Sequence, residues 1–137
     1  MNSPNAIDRY MKPKPNGEAQ LADDSEETDD LGAFGWLRGM RERAVMLELR
    51  HKDGTVTALA YAWLERVDFD PSEGLTLKFS GTKVKITGRN LNGERRPNVR
   101  MLAGILRHRV PWVQEASGSQ LLEAGMEAVV VEQIKIE

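Results

Sequence analysis

The sequence contains no cysteine. Disulfides, thiolate nucleophiles and zinc sites with Cys ligands are therefore excluded. Histidine is nearly as scarce: His51 and His108 are the only two, and neither stands in a metal-ligand spacing. Both are expected to be ordinary surface residues, His51 beside a turn and His108 among arginines. No apolar run approaches the roughly 18 residues that a membrane-spanning helix requires. The opening "MNSPNAIDRYMKPKPNGE" lacks the apolar stretch of a secretory signal. No Gly-x-Ser-x-Gly elbow is present, and "GTKVKITG" lacks the Gly-Lys-Ser/Thr ending of a phosphate loop. "DFDPSEG" sets Asp68, Asp70 and Ser72 at alternate positions, as a calcium loop would. Glu73 stands where that loop needs glycine, and Phe79 where it needs its closing glutamate. The expectation is a cytoplasmic, non-enzymatic protein without cofactor or metal. Catalysis would require a pocket in which two titratable groups converge.

The chain's 137 residues suit one domain with room for a flexible end. Hydrophobic content of 40% and charged content of 29% fit a compact domain carrying a polar segment. The net charge of −2 conceals blocks. Residues 1–30 carry 8 acids against 3 bases, and residues 31–77 carry 7 against 6. Residues 78–109 reverse this with 9 bases and one acid, Glu94, before residues 110–137 return to 5 acids and 1 base.

Residues 1–30, with "KPKPNGE" and "EAQLADDSEETDD", bury too little apolar surface to offset ordering entropy and predict a disordered acidic tail. In residues 31–43, Leu31, Phe34, Leu37 and Met40 recur every third residue, with Trp36 beside them and arginines behind. That pattern suits a short amphipathic helix, although Gly32, Gly35 and Gly39 weaken it. The segment either latches onto its own domain or docks on a partner or membrane surface.

From residue 44 the pattern predicts an α+β domain. "AVMLELRHKDGTVTALAYA" reads as a hairpin turning at Asp53-Gly54. That turn pairs Leu49 with Ala58 and Leu47 with Ala60, and it buries Val45, Leu47 and Leu49 over a floor of alanines. Trp63 and Leu64 are expected to be buried, with Asp70 to Gly74 as a loop. "LTLKFSGTKVKITG" reads as a second hairpin turning at Gly81-Thr82. It places Phe79 against Val84 and Leu77 against Ile86 inside, and Lys78 against Lys85 outside. Residues 98–108 predict a helix, begun at Pro97, with Met101, Leu102, Ile105 and Leu106 on its apolar face. "VPWVQE" leaves it extended. "SGSQLLEAG" suits a short helix capped by Ser119 and stopped by Gly125, and "MEAVVVEQIKIE" suits a closing strand. The whole is a mainly antiparallel sheet or bent barrel of five or six strands with one packing helix.

The candidate site is cationic: Lys78, Lys83, Lys85, Arg89, Arg95, Arg96, Arg100 and Arg107. A helix extended back by a turn would bring Arg96, Arg100 and Arg107 to one face, with Gly104 between them to admit a phosphate backbone. Its counter-ion is expected to be the acidic tail, Glu48 and Glu65 of the domain, or an acidic protein partner. Nucleic acid is the alternative, but no aromatic residue is interleaved in residues 80–109 for base stacking.

"MLELRHKDGTVTALAYAWLERVDFDPSEGLTLKF" followed by "VKITGRNL" resembles the two-part pattern of Sm-like small barrels. It has a DG hairpin, then an Asp four residues before a small residue and an apolar pair, then Ile-x-Gly. The resemblance implies a small, strongly bent barrel. It transfers no RNA-contact residue, since Gly74 and Thr87 stand where that family has Asn and Arg. The strands-then-helix order also suits a barrel of the PH type.

Overall fold

The computed structural model describes residues 27–39 and 41–137. Met40 and residues 1–26 of the expected tail lie outside the described residues. The fold is mainly antiparallel β with two short helices, as the sequence pattern predicts. The described strands number nine rather than five or six, they form three sheets, and none closes into a barrel. Neither the Sm-like nor the PH-type barrel is therefore formed.

The largest sheet is built from β5 (Leu64–Asp70), β6 (Gly74–Phe79), β7 (Thr82–Arg89) and β9 (Val130–Ile136), in the order β9-β7-β6-β5. Alternation drives it: Leu75, Leu77, Phe79, Val84 and Ile86 point into the core, while Thr76, Lys78, Lys83 and Lys85 point away. The β6–β7 turn is centred on Ser80-Gly81, so Leu77 faces Val84 and Lys78 faces Lys83. The expected Gly81-Thr82 turn is out by one residue, which shifts the cross-strand pairing by two, and the faces survive because the side-chain period is also two. Gly81, at φ 79°, supplies the left-handed residue that the turn needs. The terminal strand β9 pairs within the chain, antiparallel to β7.

A second sheet has the order β4-β3-β8, from β3 (Met46–Arg50), β4 (Val56–Ala60) and β8 (Trp112–Gln114), with β8 parallel to β3. Here the expected register fails by a single residue. Leu47 faces Leu59 and Glu48 faces Ala58. A two-residue turn of the Asp-Gly kind needs positive φ at both positions, but only Gly54 has it (φ 95°). The loop instead spans Lys52 to Gly54. It is closed by His51 N–H donating to Thr55 O (2.9 Å) and fixed by Asp53 Oδ1, which accepts from the Thr55 N–H (2.9 Å) and hydroxyl (2.7 Å). One extra loop residue turns Ala58 and Ala60 away from the core and Leu59 toward it, so the alanine floor does not form. Val45 is 79% exposed and Trp63 63% exposed, both against expectation, while Leu64 is half-buried against the core.

The expected helix near residue 37 is a strand pair: β1 (Thr28–Asp30) against β2 (Gly35–Leu37). Phe34 and Trp36 alternate inward, and Phe34 bridges Val113 of β8. Gly35 lets the Trp112 indole lie where a Cβ would come within 2.5 Å of its Nε1. Thr28 to Asp30 thus belongs to the folded domain and not to a tail.

Helix α1 (Met101–Leu106) buries Met101 and Ile105, whereas Leu106 is exposed. Helix α2 (Gly118–Glu123) is capped by Ser117, not Ser119. Its hydroxyl accepts from the Gln120 N–H, and the Gln120 side chain accepts from the Ser117 N–H. One core joins the inner faces of both large sheets, α1 and the Phe34–Trp36 strand.

Candidate functional site

Register places the cations of the large sheet in two rows on its outer face. Across β5, β6, β7 and the chain end, the first row reads Arg66, Lys78, Lys83, Glu137. The second reads Asp68, Thr76, Lys85, Lys135. Most of these charges are matched. Arg66 pairs with Asp68 (2.8 Å), Lys85 with Glu73 (3.3 Å) and Lys135 with Glu137 (3.6 Å). Lys78 and Lys83, directly opposite each other, have no acidic partner among the described residues. Like charges so placed repel. Arg66 and Lys135 were not among the expected site residues, although the alternation "LERVDFD" and "VVEQIKI" places both outward.

The remaining expected cations disperse. Arg89 donates to Leu121 O (3.3 Å) and its Nε lies 3.5 Å from Glu132. Arg96 bonds Asp29 of β1, which also holds Arg38 (3.2 Å). Arg100 approaches Glu94 (3.8 Å). Arg95 lines a cleft of about 240 Å³ with Ala116, Ala128 and Val131. Arg107 ends α1 and is exposed. The single arginine face does not form, because Asn98 (φ 67°) breaks the chain ahead of α1 and leaves Arg96 in a bridge with Val99. Gly104 is closed to a phosphate: a Cβ there would meet Val110 Cγ2 at 2.6 Å and Trp36 Cζ3 at 2.7 Å. Neutralisation within the fold comes from Asp29, Glu73, Glu94 and Glu132, not from Glu48 or Glu65. Glu48 pairs instead with Arg50 (3.2 Å).

Of the expected docking residues, Phe34 and Trp36 are buried in this chain's own core, and Leu31 and Leu37 are half-buried. Arg109 anchors this segment through the carbonyls of Leu37 and Gly39, with its guanidinium 5.3 Å from the Trp36 ring centre. Burial first, then the nearby Arg43 and Arg107, lowers the Arg109 pKa.

Glu115 gave no signal in the sequence, yet it is the one buried charged side chain among the described residues. Its Oε1 accepts from the Lys52 N–H (2.8 Å) and its Oε2 from the Ile134 N–H (2.6 Å), while His51 Nδ1 lies 3.5 Å away. Burial pushes the carboxyl up, but the two N–H donors and His51 together outweigh it and hold the pKa below the ordinary value. His51 and Glu115 converge at a cleft, as a catalytic pair would. Both carboxylate oxygens are already committed to backbone donors, however, so the group braces two sheets and is badly placed to carry a proton. His108 is no free surface residue either: it stacks on Tyr61 at 4.4 Å, and the Tyr61 hydroxyl donates to Val110 O (2.7 Å). Among the described residues no three His, Asp or Glu side chains gather as a metal site requires, and no helix is long and apolar enough to cross a membrane. Comparison with protein-family models, curated proteins and solved structures gives no match to this chain.

Proposed function

We propose that the protein is a non-enzymatic interaction module whose large sheet offers its outer face to an acidic surface of a protein partner. The observation that carries this reading is the Lys78–Lys83 pair, opposed across two strands and without an acid among the described residues. A fold gains nothing from such a pair by itself, and a carboxylate set between the two ammonium groups would relieve their repulsion. The nucleic-acid alternative is less well supported. The outer positions of these strands hold no aromatic ring, and both Phe69 and Phe79 face the core side; the exposed Trp63, bonded to Ser80 just before β5, is a single ring at the end of the sheet and makes no row for base stacking.

The test uses the full chain with a fluorescent oligo-glutamate peptide and, in parallel, a single-stranded oligonucleotide and a short duplex. Binding to the peptide that weakens with salt and falls about tenfold in Lys78→Glu/Lys83→Glu supports the proposal. Preference for either nucleic acid would replace it with the alternative. No binding at low salt to any of the three would overturn both.

A further inference from the structure

Sheet edges expose unpaired N–H and C=O groups, and soluble proteins commonly guard them. This molecule guards its edges in different ways. β5 carries Glu65, Arg66, Asp68 and Asp70, and its pairing is broken by an irregularity between Leu64 and Arg66. The outer side of β9 is closed by two groups from the β8 end: the Glu115 carboxylate takes the Ile134 N–H, and the Ala116 N–H donates to Val131 O (2.8 Å). β8 is covered by the Ala33–Phe34 backbone, with the Gln114 N–H donating to Ala33 O (2.9 Å).

From Val56 to Leu59, β4 has none of these devices. Its residues, Val56-Thr57-Ala58-Leu59-Ala60, include no charge and no proline, and its register with β3 runs unbroken from Met46–Ala60 to Arg50–Val56. Among the described residues, the side of this strand that faces away from β3 is engaged only at its end, where the 3-10 turn Tyr61–Trp63, capped by Ala60, takes up the Ala60 carbonyl. The strand is also open to solvent: Val56 is 55% exposed, Ala58 is exposed, and Met46 beside Ala60 is 41% exposed.

We propose that β4 pairs antiparallel with β4 of a second copy about a two-fold axis at Ala58, joining two three-stranded sheets into one of six. The strand's own chemistry selects this occupant. In that register Ala58 meets Ala58 of the other copy, Val56 meets Ala60, and Thr57 meets Leu59. Every cross-strand pair is small or uncharged, so nothing repels, and the two-fold puts the charged Lys52–Asp53 turns at opposite ends of the junction. The two Glu48 side chains, next in the row behind Ala58, have two strands between them and remain paired to their own Arg50. Five residues of strand form a small interface, so the dimer is weak and concentration-dependent. It lies on a different sheet from the Lys78–Lys83 face and does not rest on that reading.

The absence of native cysteine allows a clean test. Directly opposed residues in antiparallel strands have Cα atoms about 4.5–5.5 Å apart, within disulfide reach. Full-length Ala58→Cys, oxidised at a concentration where sedimentation shows self-association, should crosslink into a covalent dimer many times faster than Ser72→Cys, a control on the exposed β5–β6 turn. Ala58→Lys, which opposes two lysines at the axis, should sediment as a monomer with an unchanged circular-dichroism spectrum. A wild-type chain that remains monomeric up to about 500 µM overturns the proposal, since even a weak millimolar-range pairing would show there. So does a dimer that survives Ala58→Lys, or an Ala58→Cys chain that crosslinks no faster than Ser72→Cys.

Discussion

Glu115 and the Lys78–Lys83 pair are opposite solutions to placing charge on a small β fold. Glu115 is buried, and each of its oxygens receives a backbone N–H from a different part of the chain. The two lysines lie on the outer face, and nothing among the described residues answers them. The difference is one of solvent. A carboxylate withdrawn from water must be fully bonded, and once bonded it holds its partners in place. An ammonium left in water needs no partner, so it can be placed for something other than stability.

The largest expected effect comes from breaking the first arrangement. Glu115→Ala leaves two N–H donors without their acceptor and unbraces β9 from the β8 end. Urea unfolding should show a loss of about 3 kcal/mol, or outright failure to fold. The pH response is the next largest. Because the folded carboxyl titrates below its ordinary value, its contribution is fully present above the unfolded pKa, near the ordinary 4.5, and is lost as pH falls through the lowered folded value. Unfolding free energy measured from pH 7 down to pH 3 should therefore fall less steeply in Glu115→Gln than in the wild-type chain. Equal slopes would mean that Glu115 does not titrate as its contacts require. The smallest effect sharpens the other side. Lys78→Glu sets a carboxylate between Arg66 and Lys83, and thermal unfolding should show an unchanged or slightly more stable protein, by at most about 0.5 kcal/mol. The same variant should bind an acidic peptide more weakly. A substitution that helps the fold and harms binding would separate the two roles of the face; a clear loss of stability would show the lysines to be structural.

The fold class, the β6–β7 meander and its outward lysines were legible because alternation survives an error of two positions. The β3–β4 hairpin was legible only in outline. Its Asp-Gly pair suits two loops that differ by one residue, and that one residue decides whether Ala58 or Leu59 enters the core. β1, β2 and β8 are three residues each, too short for periodicity, and a spacing of three in "LGAFGWL" concealed the alternation of Phe34 and Trp36. The arginine cluster was not legible because a single left-handed residue, Asn98, uncouples Arg96 from α1. Glu115 could not be found at all. Its partners lie at Lys52 and Ile134, and nothing local distinguishes it from a solvated glutamate.

The parallel pairing of β3 with β8 carries a kinetic consequence. The strands β5, β6 and β7 follow one another through tight turns, so their pairing closes only short loops. Glu48, by contrast, meets Trp112 only after the whole meander and α1 have been traversed. Loop-closure entropy makes such a contact late and slow. The β3–β8 pairing, and with it the Phe34 bridge to Val113, therefore forms after the β5–β6–β7 meander. Until then, the strand segments around residues 46–60 are held together by a single local hairpin.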